Sequence, residues 1–267
     1  APAAPTDTTL GPQGNTPATA ITASANARVK DALDLGNQQD FDNAARGLIA
    51  APDALTVAGP GGATIWDMAS YDFVQGEAPD TVNPSLWRQA RINNHHGLFK
   101  VTEGVYQLRG FDLSNMSIIE GQTGWIIVDP LTTRETAATA IAFAREHLGD
   151  KPVSAIIFTH SHIDHFGGVL SVLGADADIP IVAPVGFMEE ATSENVIAGN
   201  TMSRRAMFMY GSQLEHSARG HVDTGLGKGP AFGSPGIAVP THIIDTTGQT
   251  LTLDGIEFIF QNAPGSE

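Results

Sequence analysis

Cysteine is absent from the 267 residues of the chain, so neither a disulfide framework nor a thiolate metal site is available to it. Any metal must be held by histidine and carboxylate. Charge is sparse as well, at 16% of residues, and positive charge sparser still: 14 Lys and Arg stand against 29 Asp and Glu, for a formal net charge of −15. Such a surface repels phosphate backbones and anionic lipid, so nucleic acid is not an expected partner. No apolar run approaches the roughly 18 residues that a spanning helix needs, so no stable membrane insertion is expected either. The first residues, "APAAPTDTT", lack an initiator Met and a charged-then-apolar leader. They read as the remnant of a removed signal peptide, which implies a periplasmic or secreted protein, although a trimmed chain reads the same.

What is present is an ordinary globular composition, 42% hydrophobic, long enough for one core or one core with an appendage. Residues 1–22, rich in Ala, Pro and Thr, read as an extended arm. Residues 23–97 read as a helical extension: two short helices separated by Gly36, a Gly/Pro loop with one short strand, then a helix capped by Asn83, opened by Pro84 and ended by Gly97. From Leu98 to Glu267 the pattern is α/β. Two hairpins precede a helix opening at Thr132, with Glu135 three residues on as a capping box and Gly149 at its end. The apolar run "VSAIIF" follows as a strand covered on both faces. After "ADIPIVAPVGF" and a mostly helical stretch comes a Gly/Pro-rich loop from Ser217 to Pro240, then a hairpin turning on Asp254-Gly255.

The chemistry gathers where "VSAIIF" ends, in "FTHSHIDHFGG". Open α/β sheets place their sites off the ends of such strands. His160 and His162 alternate, so in extended backbone their rings share a side and meet one ion. Asp164 and His165 follow as the chain bends, toward a second adjacent position, and Gly167-Gly168 lets the backbone pass closely. Two metals about 3.5–4 Å apart clamp a bridging hydroxide and stabilise charge on a leaving oxygen. Clustered imidazoles after a buried strand have no packing rationale. The other histidines, His95, His96, His147, His216, His221 and His242, stand more simply as structural residues.

The H-x-H-x-D-H order is the signature of the metallo-β-lactamase superfamily, and Asp129 in "GWIIVDP" resembles its first motif, an Asp that orients a histidine ligand. The segments "DTVNPSLWRQARINNHHGLFKVTEGVYQLRGFDLSNMSIIEG", "ENVIAGNTMSRRAMFMYG" and "QNAPGSE" extend the likeness, from about residue 24 onward, to the alkylsulfatases of that fold. The resemblance implies the first half of an αββα sandwich, truncated at its C-terminal side, and hydrolysis of alkyl sulfate esters to alcohol and inorganic sulfate. It implies two zinc ions per complete site, one held by His160, His162 and Glu267, the other by Asp164 and His165, with Asp164 also counted as catalytic. A bridging Glu and a further His would follow Glu267, so these residues alone are expected neither to hold both metals nor to turn over. A homodimer is implied for the full-length protein.

For the sulfate group, Arg204 and Arg205 offer bidentate guanidinium contacts, and their alternative is surface pairing with Glu190 or Glu194. Asn115 and Tyr210 are further candidates at the rim. Two other readings stay open: another hydrolase of the same fold, acting on a thioester, lactone or β-lactam, or a non-catalytic assembly fragment.

Overall fold

The computed structural model describes residues 14–174 and 178–263. Glu267 and residues 1–13 of the expected arm lie outside the described residues. The first helix, α1 (Ala20–Ala32), starts inside that arm, capped by the Thr19 hydroxyl on the Thr22 N–H at 3.2 Å. After α2 (Gln39–Ala45) the segment expected to be helical holds three strands, β1 (Leu48–Ala50), β2 (Thr56–Ala58) and β3 (Thr64–Asp67). Gly47 explains the first: it sits at φ 79°, and a Cβ there would meet the Lys100 carbonyl oxygen at 2.1 Å. The chain therefore leaves the helix and pairs antiparallel with β4 (Gly97–Thr102), Leu48 opposite Phe99.

Helix α3 (Pro84–Ile92) opens as its sequence suggests, with the Asn83 side chain accepting from Ser85 N–H at 2.9 Å. It stops well short of Gly97, in turns closed by the Asn94 and His95 N–H groups. Gly97 instead begins β4 at φ 131°, where a side chain would strike the Ala50 carbonyl at 2.3 Å.

From β4 the chain runs antiparallel through β5 (Val105–Arg109), β6 (Met116–Glu120) and β7 (Trp125–Val128), then crosses over through α4 (Arg134–Leu148) to β8 (Val153–Ile157), parallel to β7. Strands β9 (Ile181–Pro184) and β10 (His242–Ile244) continue the parallel half, giving an eight-stranded sheet in the order β1-β4-β5-β6-β7-β8-β9-β10. Short α5 (Val169–Val172), α6 (Phe187–Thr192) and α7 (Gly199–Tyr210) lie between β8 and β10.

Alternation along β7 and β8 sorts the core onto two faces. Trp125, Ile127, Ile156 and Phe158 meet Ala137, Ala140, Ile141 and Ala144, the stripe at helical spacing on α4. Ile126, Ala155, Ile157 and Val182 meet Leu253 from the hairpin of β11 (Thr250–Leu253) and β12 (Ile256–Ile259). That hairpin turns on Asp254 and Gly255, both left-handed at φ 44° and 79°, and the Asp254 carboxylate accepts from Thr123 Oγ1 and Gly124 N–H, each at 2.8 Å.

The cap of α4 is Thr133, whose hydroxyl accepts from Thr136 N–H at 3.2 Å, rather than Thr132. Glu135 makes no capping box. Its carboxylate takes the Ser234 N–H at 2.9 Å and so ties the start of the helix to the long Gly/Pro-rich loop.

Candidate active site

The site is built where β7 and β8 end side by side. Asp129 and Leu131 flank Pro130 at φ 56° and 65°, left-handed conformations that cost a residue with a Cβ about 1–3 kcal/mol each. Surrounding contacts hold the turn: Asp129 N–H donates to the Ile157 carbonyl at 3.0 Å, Gly168 N–H donates to the Leu131 carbonyl at 2.9 Å, and Leu131 is fully buried. Gly167 and Gly168 make the approach possible, since a Cβ at either would lie 1.9 Å from the Thr132 oxygen or 2.1 Å from the Pro130 oxygen.

Thus wound, Asp129 faces the following loop. Its carboxylate accepts from Thr159 N–H at 2.9 Å, from Thr159 Oγ1 at 2.7 Å and from His165 Nδ1 at 2.8 Å. His165 therefore faces a carboxylate with each nitrogen, donating Nδ1–H to Asp129 and directing Nε2 at Asp164 Oδ2, 3.2 Å away. His160 Nε2 and His162 Nδ1 are 3.1 Å apart, and the rings of His160 and His165 lie 4.1 Å centre to centre. Ser114 donates its hydroxyl to the Asp164 carbonyl and steadies the bend.

Two nitrogens each 2.0–2.1 Å from a tetrahedral zinc lie about 3.3 Å apart. The His160–His162 and Asp164–His165 separations, 3.1 and 3.2 Å, lie near that spacing, so either pair could ligate an ion. Among the described residues no three such side chains are gathered into a metal site. The electrostatics follow from this arrangement. Burial pulls His165 down, but hydrogen bonds to Asp129 and Asp164, with their charges, outweigh it and push its pKa up to about 9. Burial holds His160 below the usual imidazole range, with the His165 and His162 charges acting the same way. Burial would raise Asp164, yet the His165 hydrogen bond and charge keep it below the usual carboxylate value.

His162, Asp164 and His165 form one wall of a cavity of about 870 Å³. Asn115, Arg205 and Tyr210 line it too, whereas Arg204 does not; sequence alone could not separate neighbours on a helix of unknown rotation. Arg205 forms no ion pair with Glu190 or Glu194 among the described residues. Much of the remaining wall is apolar: Met202, Met207, Met209, Leu226 and Phe232. Burial, then the Asp164 charge, raises the Tyr210 hydroxyl against the opposing pull of Arg205.

Sequence reasoning missed two contributors. Glu194, on the π-helical turn Ser193–Ile197, lines the cavity with Oε1 3.9 Å from His162 Nε2. Asp112, fully buried, accepts five hydrogen bonds, from Leu113 N, Thr132 N, Thr132 Oγ1, Thr136 Oγ1 and Ala231 N. It thereby fixes three stretches of the cavity wall. Neither carries a local sequence signal.

Residues 109–253, more than half of the chain, match the metallo-beta-lactamase superfamily. The chain belongs to that superfamily. Within it the chain is similar to the alkyl/aryl-sulfatase BDS1 of Saccharomyces cerevisiae, 47% identical over 92% of this chain and 39% of that protein. A linear primary-alkylsulfatase of Pseudomonas sp. is 47% identical over 94% of this chain and 38% of its own length. Among solved structures, the stereoselective inverting sec-alkylsulfatase Pisa1 from Pseudomonas sp. superposes with a TM-score of 0.89 at 43% identity, over 92% of this chain and 40% of that one. The chain spans about two fifths of the length of these relatives.

Proposed function

We propose that this chain carries the ester-cleaving part of an alkylsulfatase, which hydrolyses an alkyl sulfate to the alcohol and inorganic sulfate. The observation that carries the reading is the division of one cavity: imidazole, carboxylate and guanidinium at one end, methionine and phenylalanine over much of the rest. An amphiphilic anion matches both parts. The named relatives are sulfatases of alkyl or aryl esters, which favours this reading over a thioester, lactone or β-lactam.

In this reading His160 with His162, and Asp164 with His165, hold two zinc ions, and Asp129 keeps His165 in the ligating tautomer. Divalent zinc held there supplies positive charge for the ester's oxygens and a hydroxide nucleophile near neutral pH. Arg205 grips the sulfate oxygens as a bidentate fork. Tyr210, kept protonated, donates to the sulfate or to the departing alcohol oxygen, and Asn115 offers an amide at the rim. Met202, Met207 and Met209 supply flexible apolar surface for the alkyl part.

The test is a comparison of the zinc-loaded full-length protein on dodecyl sulfate, a thioester and a β-lactam, with released sulfate measured directly. Turnover of either alternative without sulfate release rejects the reading. Relatives that act on primary and on secondary alkyl sulfates both match, so the position of the ester is read from the same assay run on both substrate kinds.

A further inference from the structure

Beside the large cavity lies a smaller one of about 160 Å³, sharing Leu113, Asn115 and Leu226 with it. A single water needs only about 10–15 Å³ of such space, so the cavity has room for several waters or one small polyatomic ion. Its wall carries Arg109, whose half-buried guanidinium lies over the Phe99 ring at 4.4 Å and donates Nε–H to Gln107 Oε1 at 2.6 Å. No carboxylate pairs with Arg109 among the described residues. Burial accordingly depresses its pKa, with no opposing partner.

The other charges on the wall are already matched. Lys228 Nζ is 3.0 Å from Asp223 Oδ2 and donates to the Ala90 carbonyl at 2.9 Å. Asp112 is the one carboxylate on this wall, and its oxygens are taken by the five donors described above. Two further polar side chains line the space with no side-chain hydrogen bond among the described residues: the His95 imidazole and the Asn115 amide. A half-buried cation without a counter-ion, whose other donor reaches only the Ala44 carbonyl at 3.5 Å, a half-buried imidazole and an exposed amide therefore line one small volume. A partly desolvated guanidinium without a counter-ion favours an anion beside it.

We propose that this cavity is a binding site for a small tetrahedral oxyanion, held by Arg109, His95 and Asn115, with inorganic sulfate as its occupant. The choice of sulfate rests on the proposed ester hydrolysis, which releases that ion in the adjoining cavity; the oxyanion site itself stands on the geometry alone.

The test is calorimetric titration of the purified full-length protein with sulfate and, separately, with phosphate, alongside crystals soaked in selenate, whose anomalous signal locates a tetrahedral ion. Expected are a selenate peak within hydrogen-bond distance of Arg109 and at least a tenfold weakening of one class of sulfate sites in Arg109→Gln. Arg109→Lys keeps the charge but loses the fork and the stacking on Phe99, and is expected to bind more weakly than the parent and more tightly than Arg109→Gln. Arg205→Gln leaves that class within twofold. Absence of a peak beside Arg109, or an unchanged isotherm in a folded Arg109→Gln protein, overturns the site. Phosphate binding tenfold tighter than sulfate overturns the sulfate assignment. Sulfate held at Arg109 in a protein that releases none from alkyl sulfates sinks the proposed activity and leaves the site standing.

Discussion

Asp129 Oδ2 and His165 Nδ1 lie 2.8 Å apart, and the same carboxylate also receives both donors of Thr159. One side chain at the end of β7 thus sets the ring of the last histidine in the motif after β8. Asp129→Asn keeps a residue that tolerates φ 56° but trades a charged acceptor for an amide. Zinc affinity of the full-length protein is expected to fall by about 10–100-fold. Competition against a chromogenic chelator measures this, and an unchanged affinity refutes the orienting role.

Neighbouring arginines should behave differently. Arg205 lines the large cavity and Arg204 does not. Arg205→Ala is expected to lower kcat/KM for dodecyl sulfate by roughly 10–100-fold, the effect of losing a hydrogen bond to a charged group, and Arg204→Ala to leave it within twofold. Equal losses in steady-state assays would show that the guanidinium on the wall has no special part.

Gly168 tests the packing of the motif loop. A methyl group there would lie 2.1 Å from the Pro130 oxygen, 2.5 Å from the Ala137 Cβ and 2.7 Å from the Thr133 oxygen, two of them unyielding backbone atoms. Its φ of −84° is ordinary, so any loss is steric. Gly168→Ala is expected to cost about 1–3 kcal/mol or more in urea unfolding.

Acid should loosen the cluster of Tyr71, His216 and His221. His221 is buried, with Nδ1 2.9 Å from the Tyr71 hydroxyl, which also meets His216 Nε2 at 3.0 Å. Burial, then the charge of His216, holds His221 below its ordinary value of 6.5. The unfolded chain therefore takes up this proton first as pH falls, and stability is lost from about pH 6.5 downward until the folded-state pKa is passed. The urea midpoint should drop less between pH 7.5 and 5.5 in His221→Asn than in the parent protein. An identical drop in both assigns the acid sensitivity elsewhere.

Parts of this arrangement are legible in the sequence because they are local. The run "VSAIIF" is apolar at every position but Ser154 because β8 is covered on both faces, and Asp254-Gly255 marks its hairpin because both residues must be left-handed. The close spacing of His160, His162, Asp164 and His165 is likewise read directly. What stayed hidden depends on partners distant along the chain. Glu135 has the spacing of a capping box, yet Ser234, brought close by the Gly/Pro-rich loop, claims its carboxylate. The strand Leu48–Ala50 is too short for a periodic signal and exists because β4 offers it an edge. Asp112 and Glu194 acquire their roles from three-dimensional neighbours that no window of sequence contains.

The Asp254 clamp grips the turn between β6 and β7, at the opposite end of the sheet from the histidine motif. The second strand layer is therefore anchored away from the chemistry, and loops around the motif are free of that duty. A fluorophore or tether joined at the Asp254 rim would report on layer separation without touching the reacting end, while a redesign of the cavity loops would leave the stacking of the layers in place.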